Sequence, residues 1–343
     1  MWTYLARRIV QAVITLFIIT IICFTLTRLS ADPLAQYATS TNMSAEAKEQ
    51  LRERLGLNKT IPREWIHWMG LPPATEDRII ESSNIPAMYF SWLKLALQGN
   101  LGKSFFSKQP VATMIGQRLP LTLILMVTAE IITLLVALVI GIVSALKQYS
   151  VIDNFLTSLS FIGFSMPIFF IALGLMLIFA VKFKQMGWPY LPTGADIWSP
   201  KDISQLVRHL VLPVSALVIV WTATYSRYVR TSLLEVLGLD FVRTARAKGL
   251  AERAVLFKHA LRNAALPIVT VVGLDIPTLL GGALVTESVF AWPGMGRLFW
   301  EYAQRGDFPV VNGVLLITSS AVVFFTIIID VLYTVIDPRI RLS

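Results

Sequence analysis

Six long apolar stretches restrict the possible folds of this chain more than any other feature. Each is about 20 residues or longer, the length that an α-helix needs to cross the hydrocarbon core of a bilayer. Inside that core every backbone N–H and C=O needs a partner within the protein, so single segments of this length span as helices. The predicted spans are approximately residues 4–29, 121–146, 155–183, 206–225, 266–290 and 310–336. The sequence therefore predicts an all-α integral membrane protein with six transmembrane helices.

The composition supports the same class. Hydrophobic residues make up 55% of the chain and charged residues 15%, whereas about 25% of an ordinary soluble domain is charged. The single cysteine, Cys23, excludes a disulfide within the chain and a cysteine-based metal site. Arg7 and Arg8 precede an apolar run of about 20 residues, which is longer than the roughly 7–15 residues of a signal-peptide core. We therefore predict a retained first helix and not a cleaved signal.

The distribution of basic residues predicts the orientation of the chain. The segment from Arg227 to Arg262 carries eight Lys or Arg residues and three acidic residues, and such an excess is typical of cytoplasmic loops. Both termini and residues 226–265 are therefore predicted to be cytoplasmic. The net charge of +9 is explained by this orientation and does not indicate nucleic-acid binding, because the charges flank apolar runs and do not form one stripe.

The spans divide the chain into three predicted regions. Residues 1–29 form the first transmembrane helix with a cytoplasmic N-terminus, residues 30–118 a long extracytoplasmic insertion, and residues 119–343 a core of five transmembrane helices. Within the insertion an amphipathic helix is predicted at 44–55, with Ser44 as its N-cap. Six residues there have the character of a membrane interface: Trp65, Trp68, Met88, Tyr89, Phe90 and Trp92.

A basic, helix-forming stretch at 240–267 separates two apolar segments. Asp240 is predicted to cap a first short helix, Gly249 to follow that helix in a left-handed conformation, and a second helical run to extend over about 251–263. Basic and small residues alternate in the first run: Arg243, Ala245, Arg246, Ala247, Lys248 and Gly249. Two interpretations remain open at this point. The segment is either a compact plug for a groove on another protein or a juxtamembrane segment that contacts anionic lipid.

The run from Arg243 to Gly249, followed by His259-Ala-Leu-Arg-Asn-Ala264, resembles the loop of binding-protein-dependent ABC importer permeases. The family pattern is EAA, three residues, Gly, nine residues, then I-x-L-P. Ala245 and Gly249 match it, whereas Arg243-Thr244 replaces Glu-Ala and residues 259–262 replace I-x-L-P. These departures are typical of the dipeptide/oligopeptide/nickel branch. Other stretches are similar to the same branch: 99–111 (with Asn100 for Asp), 232–238, 286–296 and 337–341.

The resemblance implies a type I ABC importer permease fold and a set of partners. A second, homologous permease would form a heterodimer with this chain in a bacterial or archaeal plasma membrane. Two cytoplasmic ATPase subunits would bind ATP and Mg²⁺, and an extracytoplasmic binding protein would deliver the substrate. This chain itself would hold no cofactor. The implied ATPase-coupling residues are Asp240, Arg243, Thr244, Ala245, Lys248, Gly249, Leu250 and His259.

The residues themselves offer no catalytic constellation. His67, His209 and His259 lack any metal-binding spacing, and the stretch at 99–104 fails as a phosphate-binding loop because Leu97 stands where that loop needs its first glycine. The chain is therefore predicted not to be an enzyme. Two other classes compete with the importer permease. An ion-coupled secondary transporter would show inverted repeats and matching broken helices, and a membrane-embedded enzyme would need clustered acids, bases or metal ligands.

Three ionisable residues fall within the predicted spans: Glu130, Asp275 and Asp330. Because a charge at the bilayer centre costs at least about 2.5–3.5 kcal/mol, such groups face a cavity or a partner. Asp275 is predicted either to meet the ammonium group of a peptide in the translocation path or to bond to a neighbouring helix. Glu130 and Asp330 are predicted to be structural. Other candidate path residues are Ser165, Pro167, Thr222 and Tyr225. The predicted cargo is a di- or oligopeptide, with nickel chelates, glutathione-like peptides and oligosaccharides as alternatives.

Overall fold

The computed structural model describes residues 2–30, 85–194, 202–281 and 283–336, and the regular elements within them are helices. Twelve labels cover them: α1 Trp2–Ser30, α2 Ile85–Leu97, α3 Val111–Leu146, α4 Val151–Ser165, α5 Ile168–Gln185, α6 Ile203–Leu237, α7 Asp240–Ala247, α8 Glu252–Ala254, α9 Leu261–Gly281, α10 Leu284–Val289, α11 Met295–Gln304 and α12 Phe308–Ile336. Two stretches are π-helical: Met176–Lys182 within α5 and Val255–Ala260 between α8 and α9.

Five helical segments are long and apolar enough to cross a membrane: Arg7–Leu26, Val111–Leu146, Ile168–Gln185, Ile203–Leu237 and Phe308–Ile329. A sixth span is formed if Glu252–Ala265 and Pro267–Gly273, which meet at a bend of 44°, are counted together. The predicted all-α membrane class is therefore confirmed, and the six predicted spans correspond to these five segments and the bent pair.

The first of two compact units contains α1, α2, the start of α3, and most of α11 and α12. Tyr89 of α2 is buried against α1, where its hydroxyl lies 2.7 Å from Thr20 Oγ1 and its ring packs edge-on to Phe24. Asn312 of α12 donates from Nδ2 to the Cys23 carbonyl at 3.0 Å. These polar contacts fix the positions of α2 and α12 relative to α1. A buried polar group without a hydrogen bond destabilises the folded state, so arrangements that keep these bonds are favoured.

The second unit runs from Leu121 to Gly296 and is built around α6. Leu212, Leu217 and Leu233 of α6 are fully buried, and the helix packs against α4, α5 and α9. At Gly141 of α3 a Cβ atom would lie 2.5 Å from the Val229 side chain, so only glycine allows this close approach of α3 to α6. Small residues bring membrane helices together in this way, because dispersion contacts replace the missing hydrophobic driving force.

Several predicted helix boundaries are wrong. α3 begins at Val111 with Pro120 inside it, so the predicted insertion at 30–118 contains a full turn or more of this helix. α6 does not end near residue 225 but continues to Leu237, since residues 226–237 contain no glycine or proline. The predicted span at 266–290 is two helices, because α9 ends at Gly281 and α10 is separate. The helices α2 and α11 were not predicted.

The predicted helix at 155–183 is also wrong as a single element. It is divided at Pro167 into α4 and α5, and Met166 has extended backbone angles (φ −86°, ψ 127°). A residue that precedes proline is driven out of the α-helical region by contact with the proline ring. The predicted helix at 44–55 and the interfacial residues Trp65 and Trp68 lie outside the described residues.

Candidate functional site

The stretch between α6 and α9 folds as a compact hairpin, here called the basic hairpin (residues 240–263). Val242 and Ala245 of α7 pack with Val255 in a small buried cluster that also contacts Val236 and Leu237 at the end of α6. Leu239 and not Asp240 occupies the N-cap of α7. The predicted cap is therefore wrong: the Asp240 side chain is 96% exposed and lies 3.5 Å from Arg243 Nη1.

The turn of the basic hairpin depends on Gly249. Its φ of +75° confirms the predicted left-handed conformation, and its N–H donates to the Arg246 carbonyl at 2.9 Å. Arg246 Nε also bonds Glu252 Oε1 at 2.8 Å, which joins the two sides of the turn. The second helical run does not end at residue 263 as predicted. It continues through the π-helical turn Val255–Ala260 into α9, which bends by 44° between Ala265 and Pro267.

The outer surface of the basic hairpin combines charge with exposed apolar side chains. Arg243, Thr244, Lys248 and Gly249 are exposed, and the large apolar residues that share this exposure are Phe241, Leu250 and Phe257. Exposed apolar side chains beside basic residues are a feature of both protein-contact and membrane-contact surfaces. The sequence did not single out Phe241 or Phe257. Val242 and Ala245 are spaced to lie on one face of α7, which leaves Phe241 on another face, and this spacing is the signal that could have identified Phe241.

Two of the predicted coupling residues do not lie on this surface. Ala245 is 6% exposed and belongs to the internal cluster of the hairpin. His259 is half-buried in the π-helical turn, and its carbonyl accepts from Asn263 Nδ2 at 2.7 Å. The coupling roles of both residues stay predictions, and in this chain Ala245 packs inside the hairpin.

The basic hairpin packs against the neighbouring helices α3 and α6. Leu256 and Ala260 pack with Leu233 of α6 and Ala145 of α3. Asp153, at the start of α4, accepts hydrogen bonds from Arg230 Nε at 3.1 Å and Nη2 at 2.9 Å, and from the Tyr149 N–H at 2.9 Å. The bonds from Arg230 are the main reason that the pKa of the Asp153 carboxyl lies below its usual value, whereas burial acts in the opposite direction.

Replacing Asp153 by Asn should destabilise the protein by about 2 kcal/mol at neutral pH, because Arg230 loses charge-assisted bonds. A lowered folded-state pKa stabilises the protein above the unfolded value of about 4, and this contribution disappears as the pH falls through the folded-state value. Melting temperatures at pH 7 in detergent measure the effect. Asp240→Asn is the control, because its exposed pair with Arg243 is expected to contribute close to nothing. If the loss of stability in Asp153→Asn were equally large at a pH below the folded-state pKa of Asp153, the charge of this residue would not be what stabilises the protein.

A polar cluster connects three helices of the second unit inside the predicted spans. The Tyr225 hydroxyl donates to Asp275 Oδ2 at 2.6 Å and lies 3.4 Å from Glu130 Oε2. Glu130 is 6% exposed, and its Oε1 has no hydrogen-bond partner among the described residues. One hydroxyl hydrogen serves only one acceptor at a time. Two carboxyl groups around one hydroxyl therefore favour a proton or a positively charged group between them.

The structure brings together two of the five predicted path residues. Asp275 and Tyr225 are in contact, and Glu130, which the sequence assigned a purely structural role, joins them. Thr222 is buried one turn earlier on α6 and lines an apolar cavity. Ser165 and Pro167 are exposed at the break between α4 and α5. The side chain of Asp330 lies outside what the structure describes.

A second buried polar node lies in the stretch 286–296. Glu287 is fully buried, and its Oε1 accepts from Thr122 Oγ1 of α3 at 2.8 Å. The same Thr122 hydroxyl oxygen accepts from the Met295 N–H at 2.7 Å. The Trp292 indole N–H donates to the Leu121 carbonyl at 3.1 Å, and its ring is buried among α3 and α6 side chains. This node ties the end of α10 to α3.

The described residues contain no group of three or more His, Cys, Asp or Glu side chains that could hold a metal ion. The glycines of the 99–104 stretch are not arranged around a phosphate either. Gly102 N–H instead bonds Asn100 Oδ1 at 3.0 Å, and Ser104 donates to Asp307. The two functional features of the described residues are the exposed surface of the basic hairpin and the polar cluster around Tyr225.

Comparison with known proteins covers nearly the whole chain. A family model described as "binding-protein-dependent transport system inner membrane component" matches residues 137–342, and the model of the N-terminal part of such components matches residues 1–126. The oligopeptide transport system permease protein AppB of Bacillus subtilis is 36% identical, over 99% of this chain and 100% of that protein. The dipeptide transport system permease protein DppB of Escherichia coli K12 is 33% identical, over 99% of both.

A solved structure gives the same result for the fold. The methionine ABC transporter MetNI in an inward-facing conformation contains a chain that superposes with a TM-score of 0.52 at 17% identity. The match covers 65% of this chain and 96% of that one. At this identity the likeness concerns the fold alone.

Proposed function

Because the chain belongs to the family of binding-protein-dependent transport system inner membrane components, we propose that it is the permease subunit of an ATP-driven importer of di- or oligopeptides. The type I ABC importer permease fold expected from the sequence is confirmed. The peptide cargo is proposed because the curated relatives are peptide permeases over their full lengths. In this proposal the chain contributes half of a translocation path, and a second, homologous permease contributes the other half.

The observation that carries the proposal is the basic hairpin. Its outer surface presents Arg243 and Lys248 together with the exposed Phe241 and Leu250. Exposed apolar side chains beside basic residues suit a groove on a partner protein, and membership of the importer family favours this interpretation over contact with anionic lipid. The partner proposed for this surface is a cytoplasmic ATPase subunit, one for each permease. ATP and Mg²⁺ would bind to these ATPases and not to this chain.

The connections of the hairpin supply the mechanism. α7 packs on the end of α6, and the second side of the hairpin continues into α9. When the ATPases close on ATP, a docked hairpin moves with them as a rigid body and carries the ends of α6 and α9. These two helices hold Tyr225 and Asp275. Movement of the hairpin therefore changes the geometry of the polar cluster in the membrane.

This mechanism places the basic hairpin and both termini on the cytoplasmic side. The excess of Lys and Arg in residues 227–262 supports that orientation. The extracytoplasmic binding protein would then meet the opposite face and deliver the peptide. In the path, Asp275 and Glu130 would receive the N-terminal ammonium group, which is the positive charge that their arrangement favours.

Replacing Asp275 by Asn should slow peptide uptake about tenfold, the equivalent of ~1.4 kcal/mol, without preventing assembly. Tyr225→Phe is the matched variant, because it removes the 2.6 Å bond to Asp275 but keeps the negative charge. Uptake of a free dipeptide is compared with uptake of its N-acetylated form, which lacks the ammonium group. We expect Asp275→Asn to reduce the preference for the free dipeptide and Tyr225→Phe to leave it largely intact. Unchanged uptake by Asp275→Asn would remove this residue from the path.

Purification of the chain under its natural expression tests the importer assignment itself. We expect ATPase subunits and a second permease to copurify, and reconstituted complexes to hydrolyse ATP faster when the loaded binding protein is added. A secondary transporter would instead take up substrate in liposomes without any ATPase, which would overturn the proposal. Binding measurements on the partner receptor separate peptides from nickel chelates, glutathione-like peptides and oligosaccharides.

A further inference from the structure

An apolar groove of about 460 Å³ lies among α3, α4, α5 and α6 in the second unit. Its walls are aliphatic and aromatic, with Ile140, Leu159 and Phe170 among them, and it contains the small residues Gly174 and Ala223. The volume falls within the ~300–1,000 Å³ of ordinary small-molecule sites. The groove is therefore large enough for a ligand, and its lining selects an apolar one.

One end of the groove is polar. A recess of about 10 Å³ shares Ile140, Leu156 and Ser160 with the groove and is also lined by Arg227 and Arg230. The two arginines are in different situations. Arg230 donates two hydrogen bonds to Asp153, so its charge is already balanced.

The charge of Arg227 is not balanced by a carboxylate in this way. Its guanidinium lies over the rings of Phe164 and Phe161, at 4.9 and 5.7 Å from their centroids. In the part of the chain that the structure describes, no carboxylate lies within ion-pair distance of Arg227. A guanidinium that rests on an aromatic face still directs its N–H edge outward, and that edge matches a phosphate or carboxylate in a bidentate manner.

A long apolar groove with one unbalanced cation at its end matches a molecule with an apolar tail and one negative end. We propose that the groove holds an acyl chain of an anionic phospholipid, whose phosphate is bound by Arg227. Because lipid tails are as apolar as the groove, the tail contributes little net preference. The charge at Arg227 therefore decides which lipid is retained, by an amount on the order of 1 kcal/mol for each basic residue at an anionic surface.

Photolabelling of the assembled transporter in nanodiscs tests the proposal. The probes are phosphatidylglycerol and phosphatidylcholine, each with a diazirine on one acyl chain. We expect the phosphatidylglycerol label on α4 to α6 at groove residues, and Arg227→Gln to reduce it about five- to tenfold. The charge-matched control, Arg208→Gln, alters an exposed arginine near the start of α6 that does not line the groove, and it should leave the labelling unchanged.

A second variant tests the groove without its charge. A Cβ at Gly174 meets nothing within 4 Å, so Gly174→Leu should fill the groove without a clash and abolish labelling by both lipids. Gly116→Leu is the control, because Gly116 is equally unobstructed and does not line the groove. Equal labelling by the two lipids, or labelling that survives Gly174→Leu, would overturn the proposal. Crosslinks from groove residues to the second permease or to a transported peptide, in place of lipid, would overturn it as well.

Discussion

Gly296→Ala should abolish accumulation of the folded permease in the membrane. A Cβ at Gly296 would lie 2.7 Å from Leu284 Cα, 2.9 Å from Leu284 N and 3.1 Å from Glu287 Oε2. The first two atoms belong to the backbone of α10 and cannot turn away. Overpacking of a dense interior costs about 1–3 kcal/mol even where side chains can adjust. Here the cost should reach or exceed the upper value.

The buried node around Glu287 enlarges this effect. Any shift of α10 away from Gly296 also moves Glu287, which bonds Thr122 from a fully buried position. A buried acidic group that loses its partner is strongly destabilising. Size-exclusion chromatography of a fluorescent fusion measures the folded fraction. Gly116→Ala is the control, because a Cβ there meets nothing within 4 Å. Normal accumulation and an unchanged melting temperature for Gly296→Ala would show that this close approach does not exist.

Gly249→Trp should block docking of the ATPase subunit, and so reduce both substrate-stimulated ATP hydrolysis and transport, while the permease remains folded. Gly249 is exposed at the turn of the basic hairpin, and a Cβ there meets nothing within 4 Å of the same chain. The indole would therefore project into the space that a docked ATPase must occupy. We expect substrate-stimulated ATP hydrolysis and peptide uptake to fall at least tenfold, which corresponds to a loss of ~1.4 kcal/mol or more.

Backbone strain must be separated from bulk in this experiment, because Gly249 has a φ of +75°. Any side chain costs something there, and asparagine costs the least among common residues. Gly249→Asn is therefore the matched control and should retain most of the activity. Copurification of the ATPases and the melting temperature of the complex complete the measurement. Stimulated hydrolysis at the original rate in Gly249→Trp would show that the hairpin does not transmit the motion.

The overall class of the fold was predictable because bilayer thickness imposes one length on every span. The apolar stretches led directly to α1, α3 and α12, whose observed ends lie near or beyond the predicted ones. The helix ends were less predictable where a helix continues beyond the end of its apolar stretch. α6 continues to Leu237 through polar residues, since backbone hydrogen bonding persists until Gly238 regardless of hydropathy.

The site was partly predictable for a similar reason. Gly249 was located correctly because a left-handed residue after a short helix is a local requirement. Asp240 was not, since the entry of α7 is set by the packing of Val242 and Ala245 on α6, which a local pattern does not contain. The association of Glu130 with Asp275 through Tyr225 depends on the rotation of three helices. Nothing in the spacing of these residues along the chain reveals it.

The π-helical turn at Val255–Ala260 has a consequence for the way force enters the membrane. A π-helical turn holds about one more residue than an α-helical turn, and such turns are frequent at functional sites. Conversion of this turn to an α-helix would rotate the residues directly beyond it by about 100°, the angle of one residue in an α-helix. A push on α7 would then reach the start of α9 as a rotation and not only as a displacement.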